Sequence, residues 1–198
     1  ALVTDAGTPA ISDPGEDLVR LCAENGVEVR AVPGCCAAVN ALAVSGLPTG
    51  RFTFEGFLTV NKKSRREHLD SLKDETRTMI FHEAPHKLRT TLNDLTEAFG
   101  PDRRISLCRE ITKLHEEVIR CTLAEAVAYY EENSPKGEYV LVVAGAAPKT
   151  GAAVTLEDGV AQVLALKEQG MRLKDAAKEV AEHTGLSKNE LYAAALDR

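Results

Sequence analysis

Short apolar segments that favour strands alternate with helical segments over the first 143 residues, and this alternation constrains the fold more than any other feature. Residues 1–4 resemble the end of a buried strand, and residues 15–25 carry apolar side chains at helical spacing. Residues 27–32 alternate as a strand does, and residues 37–45 have the small side chains of a packed helix. Because this alternation is typical of sheets covered by helices, it predicts an α/β fold.

A second unit of the same kind follows the turn at residues 46–50. Its predicted strands are residues 51–54, 76–81, 104–108, 117–121 and 138–143, and its predicted helices are residues 63–73, 85–99 and 123–132. The small-residue stretch after it indicates a linker. The remainder is predicted to be helical over residues 156–169, 173–184 and 188–196. Its last two helices, with Gly185 in the turn and Ser187 as N-cap, resemble a helix-turn-helix.

The predicted organisation therefore has four parts. They are residues 1–50 as the remainder of a first α/β domain, 51–145 as a second α/β domain, 146–154 as a linker and 155–198 as a helical extension. Since the chain opens without Met and inside a predicted strand, we expect it to be a piece of a longer protein whose first domain is incomplete here.

Composition narrows the class of protein. No apolar run approaches the roughly 20 residues that span a bilayer, so we expect a cytoplasmic protein that does not enter the membrane. Five cysteines without a CxxC pair argue against a disulfide framework or a structural zinc site. The net charge of −6 argues against a nucleic-acid surface over the whole chain. One compact basic cluster remains, which is either an RNA-binding surface or a solvated helix start: Lys62, Lys63, Arg65 and Arg66.

An unusual loop follows the first predicted strand. Residues 5–15 hold two glycines and two prolines between a strand and a helix, the position at which α/β proteins bind ligands. Asp5 and Asp13 offer acceptors for hydroxyl groups or a cationic amine, and Gly7 permits close approach of the backbone. The residues favour a ligand loop, with a purely structural turn as the alternative.

Two further regions carry polar chemistry. Residues 82–86 spell H-E-x-x-H, the zinc-protease signature, but Pro85 and the strand-like residues before it oppose the continuous helix that this signature needs. Residues 109–117 are dense in charged and hydrogen-bonding side chains after a buried-looking strand. That loop is either part of an active site or a solvated connector.

Several motifs in order resemble one family. They are residues 5–9, 11–15, 32–34, 45–49, 54–57, 83–86, 109–117 and 137–140. Together they are similar to bacterial ribosomal-RNA cytidine 2′-O-methyltransferases of the tetrapyrrole-methylase (class III) superfamily, over residues 1 to about 145, and residues 155–198 resemble that family's helical extension. The sequence departs from the family at Cys35, Cys36 and Ala84, and it lacks the family's N-terminal strand and glycine-rich loop.

The resemblance implies a fold of two α/β domains with S-adenosylmethionine in the cleft between them. It implies homodimers and methylation of a cytidine ribose in the 16S rRNA of the small ribosomal subunit. The residues that would bind the cofactor are Asp5, Ala6, Gly7, Thr8, Pro9, Ser12, Asp13, Pro33, Gly34 and Phe57. Because a ribose hydroxyl needs a base or a stabilising cation, we hypothesise that Glu83, His86, Lys113 and Glu116 surround it, with no metal. The alternative is that these residues cap helices or pair with one another. The basic cluster, together with the helical extension, would bind the RNA.

Two alternatives stay open from the sequence. A corrin or porphyrin methyltransferase has the same fold, but needs neither the basic cluster nor the helical extension. A non-enzymatic nucleic-acid-binding module would use the last helices. Their acidic residues, which include Glu179 and Glu182, argue against DNA as a partner.

Overall fold

The computed structural model describes residues 1–147 and 155–196. Its internal contacts divide the chain into two compact units, residues 1–147 and 148–198. Most of the predicted linker, residues 148–154, lies outside the described residues. None of the helices within the described ranges is long and apolar enough to cross a membrane.

The first unit is built on a five-stranded mixed sheet. Its strands are β1 (Phe52–Phe57), β2 (Thr78–Glu83), β3 (Arg104–Arg109), β4 (Glu117–Thr122) and β5 (Tyr139–Val143), in the order β1-β2-β5-β3-β4. β1 and β2 are parallel, whereas β5 is antiparallel to both of its neighbours. Strands β1, β2 and β3 therefore end at the same edge of the sheet, where β5 begins.

Helices cover both faces of this sheet. They are α2 (Ala37–Val44) on one face and α3 (Lys62–Ser71), α4 (Leu88–Phe99) and α5 (Leu123–Glu132) on the other, whereas α1 (Glu16–Glu24) has no buried residue. Successive β5 side chains alternate between two cores, since Leu141 packs with α3, α4 and α5 while Val140 and Val142 pack with α2. Burial on both faces explains why β5 is apolar throughout. Each large apolar side chain buried in these cores contributes about 1.5–3 kcal/mol.

Two predicted strands in the first fifty residues do not form. Residues 1–4 and 27–32 have no strand assignment, and Val3 and Val32 are 81% and 87% exposed. A strand needs a neighbour that completes its hydrogen bonds, and no described strand lies beside these segments. These two strand predictions are wrong. The predicted strands and helices between residues 51 and 143 do form, with ends that differ by up to three residues.

Between residues 155 and 196 the second unit forms the three predicted helices, α6 (Leu156–Glu168), α7 (Leu173–Thr184) and α8 (Lys188–Leu196). Thr155 and Asp158 form a capping box that satisfies amide groups at the start of α6. Gly185 ends α7 in the left-handed conformation (φ 74°), which a glycine adopts without strain. The three helices share a small core that includes Val163, Ala177 and Leu191.

Candidate functional site

A cavity of about 450 Å³ lies at the edge of the sheet where β1, β2 and β3 end. The loop of residues 4–13 and the start of α2 contribute to it, as do the ends of β1 and β2, the loop after β3 and the start of β5. Its lining mixes acidic, hydroxyl, amide and apolar side chains. The cavity therefore occupies the place at which α/β proteins bind ligands, and its size suits a small molecule.

Strained backbone conformations border this cavity. In the described residues, four non-glycine residues have positive φ: Ala10 (65°), Ser12 (59°), Glu110 (49°) and Thr112 (66°). The first two lie in the loop before α1 and the other two in the loop after β3, so both loops that border the cavity contain strain. Such conformations cost of order 1–3 kcal/mol each and cluster at functional sites.

Lys113 forms a charged cluster on the cavity wall. Its Nζ atom lies 3.0 Å from Glu110 Oε1 and 2.9 Å from Glu138 Oε2, and the Glu138 backbone N–H donates to Glu110 Oε1 at 2.9 Å. These contacts with Glu138 and Glu110 raise the pKa of Lys113. The Glu138 backbone N–H and the Lys113 ammonium lower the pKa of Glu110. The Lys113 side chain is therefore positively charged at neutral pH.

A glycine makes this cluster possible. Gly137 has a φ of 75°, and a Cβ atom there would lie 2.5 Å from the Cγ atom of Glu110. Any larger residue would displace the Glu110 carboxylate from Lys113. The structure therefore explains the glycine of the G-E-Y-V motif, because a side chain at this position would collide with Glu110.

Glu83 lies at the end of β2 among the residues that line the cavity, and its side chain is buried. Its Oε1 atom accepts a hydrogen bond from the Ala84 N–H at 2.9 Å, and its Oε2 atom accepts one from the Thr91 hydroxyl. Only 3% of the residue is exposed. A carboxylate has about four acceptor positions, so two remain for a ligand.

His82 is a cavity residue that the sequence analysis did not select. Its ring contacts the edges of Phe54 and Phe57, with centroids 5.2 and 5.4 Å away, and its buried Nε2 atom has no hydrogen-bond partner among the described residues. Burial lowers the pKa of His82, against the opposing charges of Asp13 and Glu138. The imidazole is therefore neutral at pH 7. It lies in β2 while His86 lies in the turn before α4, so the helix that a zinc-protease signature needs does not form.

The structure brings together part of the predicted site. The predicted residues that line the cavity are Asp5, Ala6, Gly7, Ser12, Asp13, Phe57, Glu83 and Lys113. Those that do not line it are Thr8, Pro9, Pro33, Gly34, His86 and Glu116. Two of the latter support the walls instead. Thr8 Oγ1 donates to Cys35 O at 3.0 Å, and Glu116 accepts from the Thr112 N–H at 2.7 Å.

The polar lining residues that were not predicted include, besides His82, Asn40, Glu110, Thr112 and Glu138. Glu110 and Thr112 stand in the 109–117 loop, and Glu138 stands in the G-E-Y-V motif. A signal for these three was therefore present in the sequence. Asn40 had no signal beyond being the one polar residue of its helix.

The predicted basic cluster divides into two environments on α3. Lys62, Lys63 and Arg66 are exposed, and Arg66 pairs with Glu97. Arg65 is only 7% exposed, with its Nε atom 2.5 Å from Asp94 Oδ2 and its Nη2 atom 2.8 Å from Thr91 Oγ1. Arg65 points into the protein because it shares a helix face with the buried Leu69, four residues later. It has no free surface to offer to RNA, which corrects its inclusion in the cluster.

Comparison with known proteins shows which family this chain belongs to. Residues 1–127 match the family model of tetrapyrrole (corrin/porphyrin) methylases, and residues 154–198 match the RsmI C-terminal HTH domain. The chain is 45% identical over 197 residues to ribosomal RNA small subunit methyltransferase I of Synechocystis, covering 100% of this chain and 71% of that protein. The chain belongs to the ribosomal RNA small subunit methyltransferase I family of tetrapyrrole methylases.

Other members of the methyltransferase I family show similar values. The Escherichia coli O157:H7 protein is 42% identical over 100% of this chain and 69% of its own length. The Mycobacterium tuberculosis H37Rv protein is 45% identical over 98% of this chain and 67% of its own length. The chain thus spans about two thirds to seven tenths of these relatives.

Solved structures agree on the fold of this methyltransferase I family member. The methyltransferase CobJ has a TM-score of 0.54 at 23% identity, over 71% of this chain and 62% of that one. The cobalt precorrin-4 methyltransferase CbiF has a TM-score of 0.52 at 16% identity, over 70% and 61%. The predicted α/β, tetrapyrrole-methylase-like fold with a helical extension is confirmed. The boundary at residue 50 between two α/β domains stays a prediction.

Proposed function

We propose that this chain carries the methyl-transfer site of an enzyme that uses S-adenosylmethionine to methylate the 2′-hydroxyl of a cytidine ribose in 16S rRNA. The observation that carries the proposal is the 450 Å³ cavity, which combines the family's loop of residues 5–13 with Glu83 and Lys113 on its wall. Family membership at 42–45% identity favours an rRNA substrate over a corrin or porphyrin. The solved corrin methyltransferases, at 16–23% identity, support the fold and not the substrate.

The cavity lining fits S-adenosylmethionine, which supplies an electrophilic methyl group when bound. The carboxylates of Asp5 and Asp13 match a molecule with a cationic amine and ribose hydroxyls. The apolar side chains of Ile11, Phe57 and Ile111 match a nucleobase. The Nε2 atom of His82 has no hydrogen-bond partner among the described residues, so it can pair with a polar group of the ligand.

Two residues have chemistry that suits a ribose hydroxyl. Glu83 has free acceptor positions and takes the hydroxyl proton as the oxygen becomes a nucleophile. Lys113, a permanent cation, stabilises the negative charge that develops on that oxygen. The rest of the site holds hydroxyl and methyl group in line, which supplies much of the barrier reduction. His86 and Glu116, which do not line the cavity, have no direct role in this scheme.

The remaining parts of the proposal concern partners. The exposed cations of α3, Lys62, Lys63 and Arg66, are proposed to contact RNA, and so, separately, are the helices of residues 155–196. The substrate is the assembled small ribosomal subunit, and the enzyme acts as a homodimer in the cytoplasm. These inferences rest on the family resemblance.

The proposal is tested by incubating the full-length enzyme with labelled S-adenosylmethionine and small subunits that lack the modification. We expect 2′-O-methylcytidine in 16S rRNA. Lys113→Met, which keeps the aliphatic stem but removes the charge, should lower kcat by about 100-fold or more, as loss of an oxyanion donor does. Lys113→Arg should retain part of the activity.

A surface variant, Lys73→Met, serves as the control because Lys73 pairs with Asp70 away from the cavity and should keep wild-type turnover. Wild-type kcat in Lys113→Met would exclude the role given to this lysine. No methylation of small subunits by the unaltered enzyme would refute the proposed function.

A further inference from the structure

A continuous chain of polar contacts runs from the outer helices to the cavity. Arg65 Nε lies 2.5 Å from Asp94 Oδ2, and Arg65 Nη2 donates to Thr91 Oγ1 at 2.8 Å. The Thr91 hydroxyl in turn donates to Glu83 Oε2. The chain thus connects α3, α4 and the end of β2, and it ends on Glu83, one of the residues that line the cavity.

The direction of these hydrogen bonds is fixed by chemistry. A guanidinium group only donates, so the Thr91 oxygen accepts from Arg65. The single Thr91 hydrogen is then directed to Glu83, whose Oε2 atom must accept it. Because the Ala84 N–H donates to the other oxygen, both oxygens of Glu83 accept hydrogen bonds, which holds the carboxylate in one orientation.

Burial makes the chain sensitive to the loss of any member. Arg65 is 7% exposed, Glu83 3% and Thr91 fully buried. A buried guanidinium requires a partner with opposite charge, which Asp94 supplies, while the Thr91 hydroxyl connects Arg65 to Glu83. Removing the Thr91 hydroxyl leaves both Arg65 and Glu83 short of one hydrogen bond at positions that are largely buried.

We propose that Thr91 and Arg65 are positioning residues, which hold the Glu83 carboxylate in the orientation in which it accepts the proton of the ribose hydroxyl. This inference rests on the proposed function of Glu83. It gives Arg65, which the sequence placed in an RNA-binding cluster, a role inside the enzyme. The competing explanation is that the chain only fastens α3 and α4 to β2.

A double-mutant cycle in the full-length enzyme separates the two explanations. The variants are Thr91→Val, Glu83→Gln and the pair, assayed for kcat and KM on small subunits with Tm measured for each. We expect Thr91→Val to lower kcat on the order of 10- to 100-fold, the effect of losing a hydrogen bond to a charged group, with KM unchanged. In the Glu83→Gln background the same substitution should have no further effect on kcat, because Thr91 acts through the carboxylate.

Two controls complete the test. Thr91→Ser keeps the hydroxyl and should restore kcat to near the wild-type value. Thr96→Val removes a hydroxyl from the same helix that donates only to Leu92 O, and should leave kcat unchanged. Loss of kcat in Thr91→Ser equal to that in Thr91→Val would contradict the proposal.

The outcomes distinguish this inference from the function on which it rests. If Glu83→Gln keeps wild-type kcat, the proposed role of Glu83 fails and the positioning role fails with it. If Glu83→Gln loses turnover but Thr91→Val does not, only the positioning chain is refuted. An equal effect of Thr91→Val in both Glu83 backgrounds would show a structural role and would also overturn the inference.

Discussion

His82 is a buried imidazole whose protonation couples the stability of the first unit to pH. Because burial lowers its pKa, the folded protein binds this proton less readily than the unfolded chain does. Above the ordinary value of about 6.5 both states are neutral, and His82 makes no pH-dependent contribution. As the pH falls below about 6.5 the unfolded state takes up the proton first, so the free energy of unfolding decreases.

The substitution His82→Gln removes this titration while keeping a polar side chain. Urea unfolding followed by tyrosine fluorescence between about pH 5 and 8 should show that the wild-type protein loses more stability on acidification than the variant does. Plotted against pH, the free energies of unfolding of the wild-type protein and the variant should be parallel above about pH 6.5 and should diverge below it. Parallel curves over the whole range would contradict the assignment of a neutral, buried His82.

Among single residues, sequence motifs identified cavity residues but not their partners. Glu83 and Lys113 were found because they stand in motifs of polar residues. Their partners Thr91 and Glu138 lie 8 and 25 residues away, and only the fold brings them together. Arg65 was misassigned because a run of basic residues does not show which side of the helix is buried. Its spacing from Leu69 contained that information.

Among the elements, α3 has an exposed basic side and a buried side. Lys62 and Lys63 are exposed, as is Arg66, whereas Arg65 and Leu69 face the interior. We expect Lys62→Ala/Lys63→Ala to weaken RNA binding and to reduce the slope of log K against log salt by up to about 0.9 for each phosphate that is no longer neutralised. The measurement is a filter-binding titration of 16S rRNA at several salt concentrations.

The matched control for this pair is Arg20→Ala/Arg30→Ala, which removes two exposed cations that pair with neighbouring carboxylates. It should leave the salt slope unchanged. Equal slopes for the wild-type protein and the α3 variant would remove α3 from the RNA surface.

Strands β1 to β5 each lie beside another strand and could be predicted from the sequence. The two predicted strands that have no neighbouring strand among the described residues do not form. Strands β1 to β5 and the helices on them followed from periodicity, since each packs in a core that its apolar positions indicate. Residues 27–32 have an equally good strand pattern and remain exposed. A period-two pattern indicates that a segment can pair, while pairing itself depends on a neighbouring strand.

For the molecule as a whole, the sequence predicted the α/β class, the helical extension and the loops that border the site. It did not predict the order of the strands, which places the ends of β1, β2 and β3 at one edge. That order brings residues 5–13, 82–83 and 110–113 around one cavity. Long-range arrangement of this kind depends on packing between segments, which no local pattern contains.

The central claim is that this cavity binds the methyl donor, and isothermal titration of S-adenosylhomocysteine into the full-length enzyme tests it most directly. Two variants of exposed residues on α2 give a matched pair: Asn40→Trp, which places a large ring on the cavity wall, and Val39→Trp, whose position does not line the cavity. We predict binding to the wild-type protein and to Val39→Trp, and loss of binding in Asn40→Trp at unchanged Tm. Wild-type affinity in Asn40→Trp, or no binding to the unaltered enzyme, would contradict the account.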